Sequence, residues 1–284
     1  MLNILNLIRL DQWAKNLLIF LVPMSAARTE VQLYVDLFIL FFGFSFFAST
    51  GYIINDILDL ESDKAHYIKK YRMLPSGKIS VKKASFIAFV IFMIGTLFLA
   101  TLDFIILLVC IFYLAMSIFY SRYLKYIKYI DILIISLFFV LRTYLGSLST
   151  GISISLYLLS LIFFSSMALV TGKKLSILKD DKIKKSKIRT KIIKNYSNNE
   201  LRNILSINLI LTFLTFNLWV LNSFDIFKFI FIFANIALGL FCLEFYKLSL
   251  LSKTEDFIFT LKNNIRLFSS FIIFVITTIY GIFF

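Results

Sequence analysis

An all-α, multi-pass transmembrane helical bundle is the fold class this 284-residue chain predicts, and three observations predict it. Hydrophobic residues make up 60% of the chain and charged residues only 16%, where soluble domains average about 45–50% apolar and about 25% charged. The apolar residues come in blocks rather than as one face of a soluble core. Each block is about 20 residues long, the length that carries a helix across a hydrocarbon layer of roughly 30 Å. Cys110 and Cys242 both sit inside apolar blocks, so neither a disulfide framework nor a cysteine metal cluster is indicated.

Taken in order, about nine spans can be counted, at 14–30, 33–54, 83–102, 104–121, 130–150, 153–171, 203–222, 228–247 and 266–284. The first is short and interrupted by Pro23. No small-residue cleavage site follows a basic start, so no removable signal peptide is expected. With no low-complexity linker and no repeat, a single membrane domain over 1–284 is the expectation. The formal net charge of +14 raises the question of nucleic acid, and position answers it: 27 of the 30 Lys and Arg residues lie on alternate loops, hence on one side. The positive-inside bias puts the N-terminus and these loops in the cytoplasm, at the plasma or inner membrane. There the charge orients the chain and meets anionic lipid, with no nucleic-acid partner implied.

Directly after the second span comes "NDILDLESD", residues 55–63, with Asp56, Asp59 and Asp63. At about 100° per residue these three fall within roughly 60° of one another on a helix. Like charges on one face repel and call for a cation, and oxygen ligands without His or Cys suit a hard ion such as Mg²⁺. Asn55 adds an amide, and the same loop carries Lys69, Lys70 and Arg72. Other loops on that side supply Tyr120, Ser121 and Lys125, then Lys173 and Lys174 beside Gly172. Carboxylates for a metal beside cations for oxyanions suit the departure of a diphosphate, with a long lipid tail held among the apolar spans. The expected partners are therefore a polyprenyl-type lipid, a diphosphate-bearing substrate and the membrane. Arg142, midway along an apolar span, is a functional candidate because a buried cation is costly. It lies eleven residues and about 16 Å from Asp131, too far to pair with it directly. His66 is read as a polar loop residue.

These segments resemble a known family. "NDILDLESD" is similar to the NDxxDxxxD motif of the UbiA superfamily of intramembrane prenyltransferases, and "KKYRMLPSG" to its R-P-x-x-S-G element. "IRLDQWAKN", "DKAHYIKKYRMLPSG", "YSRYLKYIKYID" and "GKKLSILKDDKIKKSKIRTKIIKNYS" resemble segments of the branch that transfers phosphoribose to a polyprenyl phosphate such as decaprenyl phosphate. The resemblance covers essentially the whole chain. It implies a nine-helix bundle, with Asp56, Asp59, Asp63 and Asn55 holding Mg²⁺ and diphosphate, and with Lys15, Lys69, Arg72, Lys125 and Lys173 contacting phosphates. Tyr120 and Lys174 belong to the same matched segments as substrate-binding candidates, and Arg142, which follows the segment ending at Asp131, also matches.

Departures from the pattern accompany it. Leu10, Tyr67 and Met73 stand where the branch has proline, and Ile177 stands where its second motif has an acid. Asp180 or Asp181 would supply the missing carboxylate after a shift of the loop. The expected activity is Mg²⁺-dependent transfer of 5-phosphoribose from phosphoribosyl diphosphate to a polyprenyl phosphate at the cytoplasmic face. The alternatives are transfer of a polyprenyl group from its diphosphate to an aromatic or other acceptor, and a non-enzymatic lipid-binding or transport role. Continuous spans with charges gathered at one face favour an enzyme over a transporter, whose helices break near mid-membrane.

Overall fold

Apolar blocks of this length have to bury their own backbone hydrogen bonds, and in a bilayer only a helix does so within one segment. The computed structural model describes residues 2–65, 69–179, 195–224 and 229–284; His66, Tyr67, Asp180 and Asp181 lie outside the described residues. Among the described residues, eight helices are long and apolar enough to cross a membrane. They are α3 (Val31–Leu58), α5 (Val81–Leu99), α6 (Phe104–Arg122), α7 (Ile130–Thr150), α8 (Leu156–Lys179), α9 (Asn198–Ser223), α10 (Ile230–Leu250) and α12 (Ile265–Phe283). Short helices α1 (Leu2–Ile8), α2 (Leu21–Ser25), α4 (Leu60–Lys64) and α11 (Phe257–Asn263) complete the set.

Starts and stops follow local chemistry. α9 opens with a reciprocal cap: the Glu200 amide donates to Ser197 Oγ at 3.1 Å, and the Ser197 amide to Glu200 Oε2 at 2.8 Å. α12 opens on Asn264, whose Oδ1 accepts the Leu267 amide at 2.8 Å.

The first expected span departs from the rest. Instead of one α-helix over 14–30, the chain forms a 3-10 helix over Leu10–Phe20 and then α2. At about 2.0 Å per residue in the 3-10 part and 1.5 Å in the α part, the contour comes to about 30 Å. A segment too short to span as pure α-helix thus gains length by winding tighter. Eleven residues is well beyond the usual three or four for this geometry, so neighbours must hold it.

Two compact units divide the chain: Met1–Pro23 with Arg28–Lys125 and Leu141–Ser153, and Met24–Ala27 with Tyr126–Val140 and Ile154–Phe284. In the first, α3 packs on α1, the 3-10 segment, α5 and α6. A Cβ on Gly95 would stand 3.0 Å from the Gly43 carbonyl oxygen, so the α3 and α5 backbones meet where neither carries a side chain. In the second, α8 packs on α9 and α10, and α10 on α12. Leu175, Leu201, Leu205, Phe245, Leu248 and Leu267 form its core.

Candidate active site

The last turn of α3 presents Asn55 and Asp56, Asp59 caps its end, and α4 presents Asp63. Although Asp59 interrupts the helix, i→i−4 bonding runs on through it, Asp59 N to Asn55 O at 2.9 Å and Asp63 N to Asp59 O at 2.8 Å. The three carboxylates therefore keep close to the helical spacing expected from their positions. Asp56 and Asp63 are 5% and 2% exposed, while Asp59 is half-buried.

Basic side chains meet all three. Arg72 Nη1 lies 3.3 Å from Asp56 Oδ1 and 2.8 Å from Asp63 Oδ2, so one positively charged nitrogen is shared by two carboxylates. Lys69 Nζ adds a contact to Asp63 at 3.3 Å, Arg9 pairs with Asp56, and Lys125 pairs with Asp59. Lys69, Arg72 and Lys125, candidates for phosphate contact, thus stand on the aspartates, and four cations face three anions. A cleft of about 270 Å³ opens on Arg9, Asp56 and Arg72, walled by Leu7, Tyr71 and Met73. Surplus positive charge over buried carboxylates at a cleft suits an anionic group.

The fit to a divalent ion can be judged from these contacts. Among the described residues, no three His, Cys, Asp or Glu side chains converge closely enough to ligate one ion. Asp56 and Asp63 do converge on a single cationic nitrogen, all-oxygen donors of the kind that hold Mg²⁺ through one or two carboxylates plus substrate phosphates. The donor set fits, with Asp59 held apart on Lys125.

Other candidates fall elsewhere. Lys15 is half-buried on the 3-10 segment, and Tyr120 is half-buried near the end of α6. Arg142, 3% exposed, donates to Asn16 Oδ1 at 2.9 Å and to Tyr113 OH at 2.8 Å, both within the first unit.

In the second unit, Lys173 is exposed on α8 and Lys174 pairs with the fully buried Asp131. Tyr196 donates to Asp131 Oδ1 at 2.7 Å and accepts the Tyr129 amide at 2.6 Å. Burial first, then the Asp131 carboxylate, raises the Tyr196 pKa. Lys128, whose pKa the Glu200 carboxylate raises through a hydrogen bond, approaches both Glu200 oxygens at 2.9 and 3.1 Å. Ile177 packs against the apolar core, which accounts for a hydrocarbon at that position; Asp180 and Asp181 lie outside the described residues.

Arg9, Asp131 and Tyr196 were not among the candidate site residues. Each lies at or next to an end of one of the motif-bearing segments, "IRLDQWAKN", "YSRYLKYIKYID" and "RTKIIKNY", so a signal was present. Pairing across 47 or 43 residues was not legible there.

The UbiA prenyltransferase family model matches residues 16–276. An uncharacterized protein of Sinorhizobium fredii, y4nM, is 36% identical over 169 residues, 58% of this chain. The chain spans only 33% of that relative's length. A decaprenyl-phosphate phosphoribosyltransferase of Corynebacterium glutamicum is 29% identical over 222 residues, 76% of this chain and 67% of that one. The structure of a UbiA homolog from Archaeoglobus fulgidus, bound to GPP and Mg²⁺, is similar in fold, with TM-score 0.67, 17% identity and 99% of both chains covered. With the family model spanning nearly all of it and the helical fold shared end to end, this integral membrane chain belongs to the UbiA prenyltransferase family, a family of transferases.

Proposed function

We propose that the chain transfers 5-phosphoribose from phosphoribosyl diphosphate to a polyprenyl phosphate at the cytoplasmic face of the cell membrane. The observation that carries this reading is the Asp56–Arg72–Asp63 cluster with Arg9, Lys69 and Lys125 beside a cleft. Similarity to a phosphoribosyltransferase over three quarters of the chain supports phosphoribose as the transferred group. The family match through both compact units supports a single domain over 1–284.

Asp56 and Asp63, joined by Asp59 through the motif, would hold a divalent cation, Mg²⁺ by donor type, with Asp180 or Asp181 as a further ligand. When bound, the ion neutralises the departing diphosphate and makes it a better leaving group. Arg9, Lys69, Arg72 and Lys125 neutralise diphosphate oxygens as negative charge grows on them. A phosphate oxygen of the lipid forms the new bond to the anomeric carbon. The bond from that carbon to diphosphate breaks, and the electron pair leaves with diphosphate. Lys15, Asn55, Tyr120, Lys173 and Lys174 join the substrate-binding set by motif match; Arg142 matches as well but is buried against Asn16 and Tyr113. The apolar spans accommodate the prenyl tail.

A second reading, transfer of a polyprenyl group from its diphosphate to an aromatic or other acceptor, is favoured by the family's own description. One assay separates the two. Membranes receive labelled phosphoribosyl diphosphate, polyprenyl phosphate and Mg²⁺, and label is followed into the organic phase, with Asp56→Ala and EDTA as controls. The expected result is lipid-borne label that both controls abolish. Failure of that assay, with consumption of polyprenyl diphosphate and an acceptor instead, selects the second reading.

A further inference from the structure

The 3-10 segment Leu10–Phe20 lies against a polar stripe on α3. Trp13 Nε1 donates to Ser49 Oγ at 3.0 Å, and Asn16 Nδ2 donates to Ser45 Oγ at 2.8 Å. Three residues of 3-10 helix rise about 6 Å and come back to the same face, while four residues of α-helix rise about 6 Å and nearly do so. The 13/16 pair therefore matches the 49/45 pair turn for turn, running in opposite directions. Wound as an α-helix, the segment would rise about 4.5 Å over those three residues and swing Trp13 and Asn16 roughly 60° apart.

The same arithmetic recurs on α7. Arg142 Nε donates to Asn16 Oδ1 at 2.9 Å, and one α-turn on, at Gly146, any Cβ would collide with the Ile19 carbonyl. Asn16 and Ile19 are one 3-10 turn apart; Arg142 and Gly146 are one α-turn apart. Asn16, 1% exposed, uses its carbonyl toward Arg142 and its amide toward Ser45, so its orientation is set at both ends.

At the outer end the register reaches the charged cluster. Ser49 Oγ also donates to the Ile8 carbonyl at 2.8 Å, immediately before Arg9. Arg9 is left-handed, φ 55° and ψ 57°, a conformation that crowds the Cβ of a non-glycine residue, so the turn needs outside support. From there the Arg9 guanidinium lies over the Tyr52 ring at 5.5 Å and pairs with Asp56. Ser45, Ser49, Tyr52 and Asp56 are spaced four, three and four apart, one continuous stripe of α3.

We propose that Arg142 is a positioning residue: through Asn16 it fixes the register of the Leu10–Phe20 segment on α3 and thereby aims Arg9, about 14 Å along the segment from Asn16, at Asp56. A buried cation is expensive to maintain, and one that specifies a register has a reason to persist. The functional half of the inference rests on the proposed diphosphate site; the geometric half does not.

Two measurements on the purified full-length chain in detergent test it. Spin labels at Leu17→Cys and Leu58→Cys, both exposed and both in the first unit, report the segment's position on α3. One sharp distance is expected, broadened or displaced by up to about 6 Å (one turn of slip) in Arg142→Met. Binding of inorganic diphosphate with Mg²⁺ is then compared in Arg9→Ala, Arg142→Met and the double variant. Each single change is expected to weaken binding about tenfold, the size of one charge-assisted hydrogen bond, with no further loss in the double. Arg142→Lys, which keeps a donor, should restore part of both signals. An unmoved distance overturns the proposal, and so does full additivity of the two losses. A moved distance with diphosphate binding indifferent to Arg9→Ala retains the register lock and refutes the diphosphate site instead. If Arg142→Met fails to accumulate, Asn16→Ala cuts the same link and is read by the same outcomes.

Discussion

Asp56 in the first unit and Asp131 in the second are both nearly excluded from solvent, 5% and 0% exposed, yet their surroundings differ in kind. Asp56 is met by Arg9 and Arg72, whose side chains remain 21% and 36% exposed, and it faces a cleft. Asp131 is met by Lys174, 13% exposed, by the Tyr196 hydroxyl, and by the Ile132 amide at 2.8 Å. The first carboxylate has partners that can reach water and be exchanged for a ligand. The second has partners of which one is backbone and another is itself fixed by the Tyr129 amide. Burial of an acid is thus no guide to its role; the exchangeability of its partners is.

The contrast can be broken most directly at Asp131. Asp131→Ala should destabilise the chain by about 3–5 kcal/mol, because it strands a mostly buried ammonium and a phenol. Thermal melting in detergent reads this, and an unchanged midpoint would erase the distinction drawn above. Asp56→Ala should act on rate instead, lowering transfer about 10²–10³-fold while the melting temperature moves far less than in Asp131→Ala. Were the order of the two melting shifts reversed, Asp56 would be the structural acid.

Finer changes sharpen the same point. Tyr196→Phe removes a hydroxyl that both donates and accepts, and should cost about 1 kcal/mol in the same melting experiment without the rate loss of Asp56→Ala. A pH series supplies the smallest signal. The folded state raises the Tyr196 pKa, so it holds that proton more tightly than the unfolded chain does. This contribution is whole below about pH 10, the ordinary phenol value, and declines as pH climbs beyond it. Between pH 9 and 11 the melting temperature should therefore fall more steeply in the wild-type chain than in Tyr196→Phe. Parallel slopes would remove the phenol from the account.

Much of this molecule was readable beforehand, for reasons that differ by region. The long helices from α3 onward coincide with apolar blocks because lipid demands internally bonded segments of a minimum length. The aspartate motif was equally plain, since Asp56, Asp59 and Asp63 are neighbours in the chain and local helical bonding holds them together. The first span, counted over 14–30, is wound as a 3-10 helix over Leu10–Phe20 followed by α2. Its 3-10 winding answers to the spacing of Ser45 and Ser49 on another helix, which the local pattern of 10–20 does not contain. Arg142 stood out as a costly cation, but its partner Asn16 lies 126 residues away.

Composition, block length and the spacing of three acids by themselves determined a helical membrane chain with a cluster of carboxylates at the end of one span. Hydrophobic span length and local helix geometry act within about 20 residues, so a linear reading captures them. Only the tertiary structure decided which cation meets which acid: Arg72 shared between Asp56 and Asp63, Lys125 on Asp59, Lys174 on Asp131. These pairings depend on how separate helices pack, and the packing is settled by side-chain fit between segments that the chain order leaves far apart.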